Sequence, residues 1–321
     1  MIKIGSARIN TNIFLAPLSG CSDLAFRMIA REEGAKFCFF EMVDANALIR
    51  NYEKTLCMLK TTKKDNPIAG QLLGADPAVT LDAAQKLVSI RDIAFLDINS
   101  ACPVRKVVSK GAGARLLEKP DILFKILKKL SSSLKIPVTV KIRTGYNRTD
   151  MKNIAEIAMG CEQHGAGAIF VHGRTRTQGY SGEIDYEAIK KIKEAVKIPV
   201  FGSGNIFTPE LAKKMFDETS CDGITVARGS FGNPWIFKGI ENYLKTEEIL
   251  PEPPLSIKKK VLKKHLAYLE KYRHSIPSAE IGFMRKVAIW YMKGFPYAAN
   301  TRNEITRTKT YPNLVKLIDE L

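Results

Sequence analysis

Eight short apolar runs punctuate the first three quarters of the chain, at residues 12–16, 37–40, 68–72, 95–99, 138–142, 169–172, 200–202 and 224–226. Each is closed by polar or turn-forming residues, the pattern of a strand buried on both faces. Between them, residues 78–89, 120–134, 153–164, 186–196 and 209–216 carry apolar side chains at three- and four-residue intervals, which predicts helices with one buried stripe. One helix-to-strand connection occurs twice, as Lys135-Ile136-Pro137-Val138 and Lys197-Ile198-Pro199-Val200. Eight strand and helix units in succession predict an α/β fold, the (β/α)8 TIM barrel. A doubly wound open sheet is the competing arrangement, and it requires a glycine-rich phosphate turn after its first strand. Here that strand runs into Ala16-Pro17-Leu18-Ser19-Gly20 instead.

The alternation stops near Trp235, and Pro251-Glu252-Pro253-Pro254 then reads as a linker. The spacing beyond it is helical over residues 257–273 and 279–293, with Phe283, Val287, Trp290, Tyr291 and Gly294 on one face. The predicted organisation is a barrel domain at 1–244, a linker at 245–255 and a small all-α domain at 256–321. Trp290 and Tyr291 are expected in the core of that small domain.

Charge sharpens this division. The 321 residues carry a formal +17, and residues 256–321 hold fourteen Lys and Arg against five Asp and Glu, a net +9 that leaves +8 for the other 255. Such a tail favours a polyanionic partner such as nucleic acid, with Arg285, Lys286, Arg302, Arg307 and Lys309 as candidate phosphate contacts. The first residues lack the apolar core of a signal peptide and no run reaches membrane-spanning length, so a cytoplasmic chain without a membrane partner is expected. Six scattered cysteines show no C-x-x-C spacing, and four histidines, including His274, show no H-E-x-x-H pattern. Neither a metal site nor a disulfide framework is expected.

Barrels carry their active sites at the carboxyl ends of the strands, and the unusual residues of this chain collect there. Ala16, Pro17 and Leu18 follow the first strand, Gln71 ends the third, and Asn99 ends the fourth just before Cys102-Pro103. Lys141 and Arg143 end the fifth, and His172 with Arg174 and Arg176 the sixth. Ser203, Gly204 and Asn205 follow the seventh, Ala227 and Arg228 the eighth. Small residues after the last two strands let backbone N–H groups approach a phosphate, and Arg228 adds a charge-assisted contact. A phosphate site beside a lysine, a histidine and two side-chain amides suits flavin mononucleotide (FMN), Lys141 being placed to stabilise a reduced, anionic ring. A phosphorylated sugar is the alternative ligand. The Gly-, Lys- and Arg-rich segment 104–118 is a candidate lid over the site.

In order along the chain, Ala16-Pro17-Leu18-Ser19-Gly20, Gln71-Leu72-Leu73-Gly74, Asp97-Ile98-Asn99 leading to Cys102-Pro103, Lys141-Ile142-Arg143-Thr144-Gly145, His172-Gly173-Arg174-Thr175-Arg176 and Ala227-Arg228-Gly229 resemble the tRNA-dihydrouridine synthases. Met284-Arg285-Lys286 and Trp290-Tyr291-Met292-Lys293-Gly294 are similar to the bacterial synthase B branch. The resemblance implies an FMN barrel with a helical tRNA-binding domain, which reduces D-loop uridines of tRNA to 5,6-dihydrouridine at the expense of NADPH. It implies that hydride passes from flavin N5 to uracil C6 and that Cys102 is the acid that protonates C5. It implies flavin contacts for Ala16, Pro17, Leu18, Gln71, Asn99, Lys141, His172, Ser203, Gly204, Asn205, Ala227 and Arg228, with Asn99 also beside the base. Arg143, Arg174, Arg176, Arg285, Lys286 and Arg302 are the candidate tRNA contacts.

Three departures from that family pattern stand out. Ser100-Ala101 replaces a pair ending in glycine, Ser203 and Asn205 sit in a Gly-Ser-Gly-Asn run where Gly-Asn-Gly-Asp is usual, and Cys21-Ser22 replaces a pair ending in threonine. Alanine lacks glycine's access to positive φ, so Ala101 is expected to alter the backbone path to Cys102. A monomer is expected, and deletion of residues 256–321 is expected to leave a flavin-loaded barrel that binds tRNA poorly. The competing functions are a flavin barrel acting on a small molecule, in the manner of a dihydroorotate dehydrogenase, and a non-catalytic RNA-binding protein.

Overall fold

A computed structural model of the chain describes residues 1–273 and 277–321, and His274 lies outside them. Strands β1 (Ile2–Ile4) and β2 (Ala7–Ile9) form an antiparallel hairpin. Strands β3 (Ile13–Leu15), β4 (Cys38–Asp44), β5 (Ile68–Leu73), β6 (Leu96–Asn99), β7 (Val138–Arg143), β8 (Ala166–His172), β9 (Val200–Ser203) and β10 (Gly223–Val226) follow in order around a closed barrel, β10 returning to β3. Every barrel pairing is parallel. The predicted barrel is therefore the observed one, and the open sheet is excluded.

One end of the barrel is solid. Phe14, Phe37, Phe39, Phe95, Phe170 and Phe201 fill its amino-terminal interior together with Ile4 and Ile9 of the hairpin. Phe37 and Phe95 stack at 5.3 Å, and Phe170 and Phe201 at 4.6 Å. The hairpin, three residues a strand and thus too short to read from periodicity, caps that end. A cavity opens at the carboxyl end.

Register sets what faces that space. Gln71 pairs with Asp97, Asp97 with Thr139, Asn99 with Lys141, Arg143 with His172, and His172 with Ser203. Side chains two apart share a face, so Asp97 and Asn99 form two successive inward layers while Ile98 packs outward in the main apolar core. Several helices on that outer side begin where acidic or hydroxyl side chains cap them. Asp76 accepts from Ala78 N and Val79 N ahead of Pro77–Ile90, and Asp150 from Lys152 N and Asn153 N ahead of Met151–Gln163.

Segment 104–118 is more structured than a loop. It forms a helical turn at Arg105–Val108 and a 3-10 turn at Gly113–Glu118, with Ala114, Leu116 and Leu117 buried. Those three residues anchor its second half to the rest of the protein.

Helix Ile236–Thr246 packs on the barrel, and helices Leu255–Tyr272, Pro277–Tyr291, Ala298–Arg307 and Tyr311–Asp319 follow. Phe283, Val287 and Tyr291 are buried as their spacing predicts, whereas Gly294 lies past the helix end at φ +88°. The tail's apolar core includes Leu266, Val287, Met292, Ile305 and Leu314, and also Ala25 and Ile29 from the barrel helix Leu24–Glu32. Trp290 stacks on Phe231 at 4.2 Å with planes 6° apart, and Arg273 pairs with Asp23 at 2.8 Å. Gly232, at φ +64°, is needed at this seam, because a Cβ there would sit 2.0 Å from the Trp290 carbonyl oxygen.

Candidate active site

A cavity of about 540 Å³ opens at the carboxyl ends of the strands. Ala16, Pro17, Leu18, Gln71, Asn99, Cys102, Lys141, Arg143, His172, Ser203, Gly204, Asn205, Ala227 and Arg228 all line it. Residues 16 and 228 are thus brought to one wall by closure of β10 onto β3.

The turn after β6 is held from within. Asn99 Oδ1 accepts from the backbone N–H groups of Ala101 at 3.1 Å and Cys102 at 2.8 Å. Asn99 Nδ2 donates to Gln71 Oε1 at 2.9 Å, and Gln71 Nε2 donates to Asp97 Oδ2 at 2.7 Å. Arg143 Nε donates to the Ala101 carbonyl at 2.6 Å. Ala101 is absent from the described non-glycine residues at positive φ, so alanine meets the backbone path without strain. The thiol of Cys102 is half-buried at the cavity edge, and burial pushes its pKa up, against the Val104 N–H and the nearby Arg143 charge, which pull it down. At neutral pH it keeps its proton.

The lining also carries positive charge. Lys141 Nζ donates to Ser203 Oγ at 3.2 Å, and Ser203 Oγ donates to the Val171 carbonyl at 2.9 Å. Ser203 thus orients the lysine. Loss of solvent lowers Lys141 to about 8, with the Asp97 carboxylate raising it. Burial holds His172 well below its ordinary value, and the charges of Arg143, Lys141, Arg174 and Arg228 press in the same direction, so its ring is neutral.

At the far end, Gly204 takes φ +128°, and a Cβ there would lie 2.3 Å from Ile184 Cδ1. Asn205, at φ +51°, accepts from Arg174 Nη2 at 3.0 Å through Oδ1. Arg174 Nη1 and Thr225 Oγ1 are buried without a hydrogen-bond partner among the described residues. Arg228 is exposed and lies over the rings of Tyr180 at 5.2 Å and Phe207 at 5.7 Å.

The family model for dihydrouridine synthase matches residues 14–319. The chain belongs to the dihydrouridine synthase family. It is 38% identical to a tRNA-dihydrouridine synthase B of Pseudomonas aeruginosa, over 96% of this chain and 91% of that one. A synthase B of Pasteurella multocida is likewise 38% identical, over 96% of this chain and 92% of the other. Among solved structures, the old yellow enzyme from Trypanosoma cruzi superposes with a TM-score of 0.56 at 11% identity, over 80% of this chain and 94% of that one. Morphinone reductase in complex with tetrahydroNAD gives 0.55 at 12%, over 80% and 92%. The last two are likenesses of fold.

In this dihydrouridine synthase chain, two arginines that are candidate tRNA contacts sit inside the protein. Arg143 and Arg174 are each 2% exposed. Arg143 Nη1 donates to the Thr175 and Gly179 carbonyls at 2.9 Å, and Arg174 Nε to the Gly182 carbonyl at 3.0 Å. Their guanidinium groups knit the strand-end loops from within the protein. Arg176 lies over the Tyr146 ring at 5.1 Å outside the cavity lining. Arg285 Nη1 donates to the Thr306 and Thr308 carbonyls at 2.7 and 3.2 Å, stitching two tail helices. Lys286, Arg302, Arg307 and Lys309 are exposed.

Sequence reasoning passed over several lining residues. Cys21, Met42, Val107, Phe207, Thr225 and Phe231 all face the cavity. Most are apolar and carry no motif, so only closure of the barrel reveals them. Lys286 Nζ donates to the Gly20 carbonyl at 3.1 Å and lies 3.2 Å from Cys21 Sγ, which puts a tail lysine at the cavity rim. Among the described residues no cluster of metal-binding side chains occurs, and no helix is long and apolar enough to cross a membrane.

Proposed function

We propose that this dihydrouridine synthase reduces D-loop uridines of tRNA with FMN as its cofactor and NADPH as reductant, as a cytoplasmic monomer. One observation carries the reading: a protonated thiol on a hydrogen-bonded turn lines the same cavity as a neutral histidine and a lysine, in a chain whose residues 14–319 match the family. The donor set fits a phosphorylated flavin. Thr225 Oγ1, which lines the cavity without a partner among the described residues, leaves hydrogen-bonding capacity near the strand ends where the phosphate would sit. Ala16, Pro17, Leu18, Ala227 and Arg228 would flank the same group, and Gln71, Asn99, Lys141, His172, Ser203 and Asn205 would meet its polar edges. When bound, the flavin supplies the hydride that saturates the uracil C5–C6 bond.

The remaining work falls to the chain itself. Cys102 donates the proton that C5 requires, since a thiol raised by burial retains that proton at neutral pH. Lys141 offers a cation where negative charge gathers on a reduced cofactor. His172, neutral, offers a hydrogen bond without adding charge. The barrel at 1–244 would perform the chemistry, the linker at 245–255 would join it to the helices, and 256–321 would grip tRNA through Lys286, Arg302 and their basic neighbours. Extracting a base from its stack costs a few kcal/mol, which backbone contacts by such a tail can offset.

Mass spectrometry of unmodified tRNA incubated with the protein and NADPH tests this. The expected result is the gain of two hydrogens at specific uridines. Unchanged tRNA with continued NADPH oxidation would overturn it in favour of a small-molecule substrate.

A further inference from the structure

Asp97 lies fully buried under the cavity and does not line it. Its Oδ2 accepts from Gln71 Nε2 and its Oδ1 from Thr139 Oγ1, both at 2.7 Å. A carboxylate can only accept hydrogen bonds. Gln71 must therefore turn its NH2 toward Asp97 and its carbonyl oxygen toward Asn99. That oxygen then takes the Asn99 NH2 at 2.9 Å, which leaves Asn99 Oδ1 facing the Ala101 and Cys102 N–H groups. Either amide alone could sit either way round, because its oxygen and nitrogen are nearly equal in size. One reversal would set donor against donor at the Cys102 turn.

We infer that Asp97 is a positioning residue: through Gln71 and Asn99 it fixes the amide orientation that holds Cys102 where a proton is delivered. This deepens the proposed role of Cys102 and rests on it. Burial pushes Asp97 up to about 6, opposed by its hydrogen bonds to Thr139 and Gln71 and by the Lys141 charge, so it remains an acceptor at neutral pH. The Thr139 hydroxyl shares the carboxylate without touching the amide chain, and it supplies a control.

The test uses the full-length chain carrying Asp97→Leu, Asp97→Ala, Asp97→Asn or Thr139→Val. Two quantities are read: iodoacetamide labelling of Cys102 in flavin-free protein, followed by peptide mass spectrometry, and the rate of tRNA reduction beside that of NADPH oxidation. Asp97→Leu, or the smaller Asp97→Ala where leucine prevents folding, should speed Cys102 labelling severalfold. It should also slow tRNA reduction on the order of 10²-fold, as displacement of a reacting group does, while NADPH oxidation continues. Asp97→Asn should restore both, since its carbonyl can face Gln71 while its NH2 turns to Thr139. Thr139→Val should lower stability and leave Cys102 labelling as it was. Wild-type labelling in the leucine or alanine variant, or Thr139→Val matching them, would overturn the inference. A wild-type protein that leaves tRNA unreduced would sink the functional reading, and the labelling comparison would still decide this one.

Discussion

Arg143 Nε donates a 2.6 Å hydrogen bond to the carbonyl of Ala101, the residue before the cavity thiol. The same guanidinium reaches Thr175 and Gly179, so one buried side chain ties the turn after β6 to the loop after β8. A lysine is a point donor that cannot form this fork. Arg143→Lys should therefore leave buried carbonyls unpaired and cost about 2 kcal/mol, readable in urea unfolding. It should also slow tRNA reduction, since the Cys102 turn loses its outer tether. Unchanged stability would show that the three carbonyls find water instead.

Cys102→Ala should reduce the rate of tRNA reduction by 10²–10⁴-fold, about the value of a positioned acid, while NADPH oxidation persists. The pH profile gives an independent reading. Only the protonated thiol donates, and burial has moved its pKa upward, so the alkaline limb that belongs to Cys102 should lie above the value of about 8.5 for a free thiol. In Cys102→Ser that limb should disappear, because a hydroxyl does not titrate in the range, while the limb of Lys141 at about 8 remains in both proteins. A limb below the free-thiol value that Cys102→Ser removes would mean that Arg143, and not burial, dominates the thiol.

The barrel was legible because each inner strand is a short, continuous apolar run and the helices between them keep their periodicity. Hairpin β1–β2 and helices Ala298–Arg307 and Tyr311–Asp319 escaped the same reading. The first has three residues a strand, and the other two are short with polar surroundings, so no period accumulates. The residues that meet in the cavity were visible as strand ends. What they do to one another was not: Arg143 reads in sequence as a strand-end cation and a tRNA contact, and only the folded chain shows it bonded to the Ala101, Thr175 and Gly179 carbonyls. Ala101 posed the reverse case. Its difference from the family pattern looked like a backbone obstacle, yet its φ is not among the positive values of the described residues. Lys286 and Cys21 stand 265 positions apart, beyond any local pattern.

His265 is buried in the tail core, its Nδ1 3.1 Å from the Tyr291 hydroxyl, and burial lowers it to about 3. An unfolded histidine binds a proton near pH 6.5. Between about 6.5 and about 3 the unfolded chain is thus protonated where the folded one is not, and stability falls as the pH is lowered through that window. Asp97 acts with the opposite sign, since its folded value of about 6 lies above the unfolded value of about 3.9. His265→Gln should remove the first effect and leave the second. Relative to wild type, its stability should gain up to about 1.4 kcal/mol per unit as the pH falls from 6.5 to 4, measured by urea unfolding. Parallel curves would mean that His265 reaches solvent.

Deleting residues 256–321 to test tRNA binding would expose Ala25 and Ile29 and strip Trp290 from Phe231, which itself lines the cavity. The shortened chain should therefore lose stability as well as tRNA, contrary to the expectation of an independent barrel. Charge variants separate the two effects. Arg302, Arg307 and Lys309 are exposed and far in sequence from every residue that lines the cavity. Changing all three to glutamine should leave the melting temperature and NADPH oxidation near wild type. If each meets a phosphate, tRNA affinity should fall, and the dependence of log affinity on log salt should become shallower by about one unit for each phosphate no longer neutralised. An unaltered salt dependence would move the tRNA grip to the Lys286 edge of the seam, beside Gly20 and Cys21, where the polyanion would reach the cavity mouth directly.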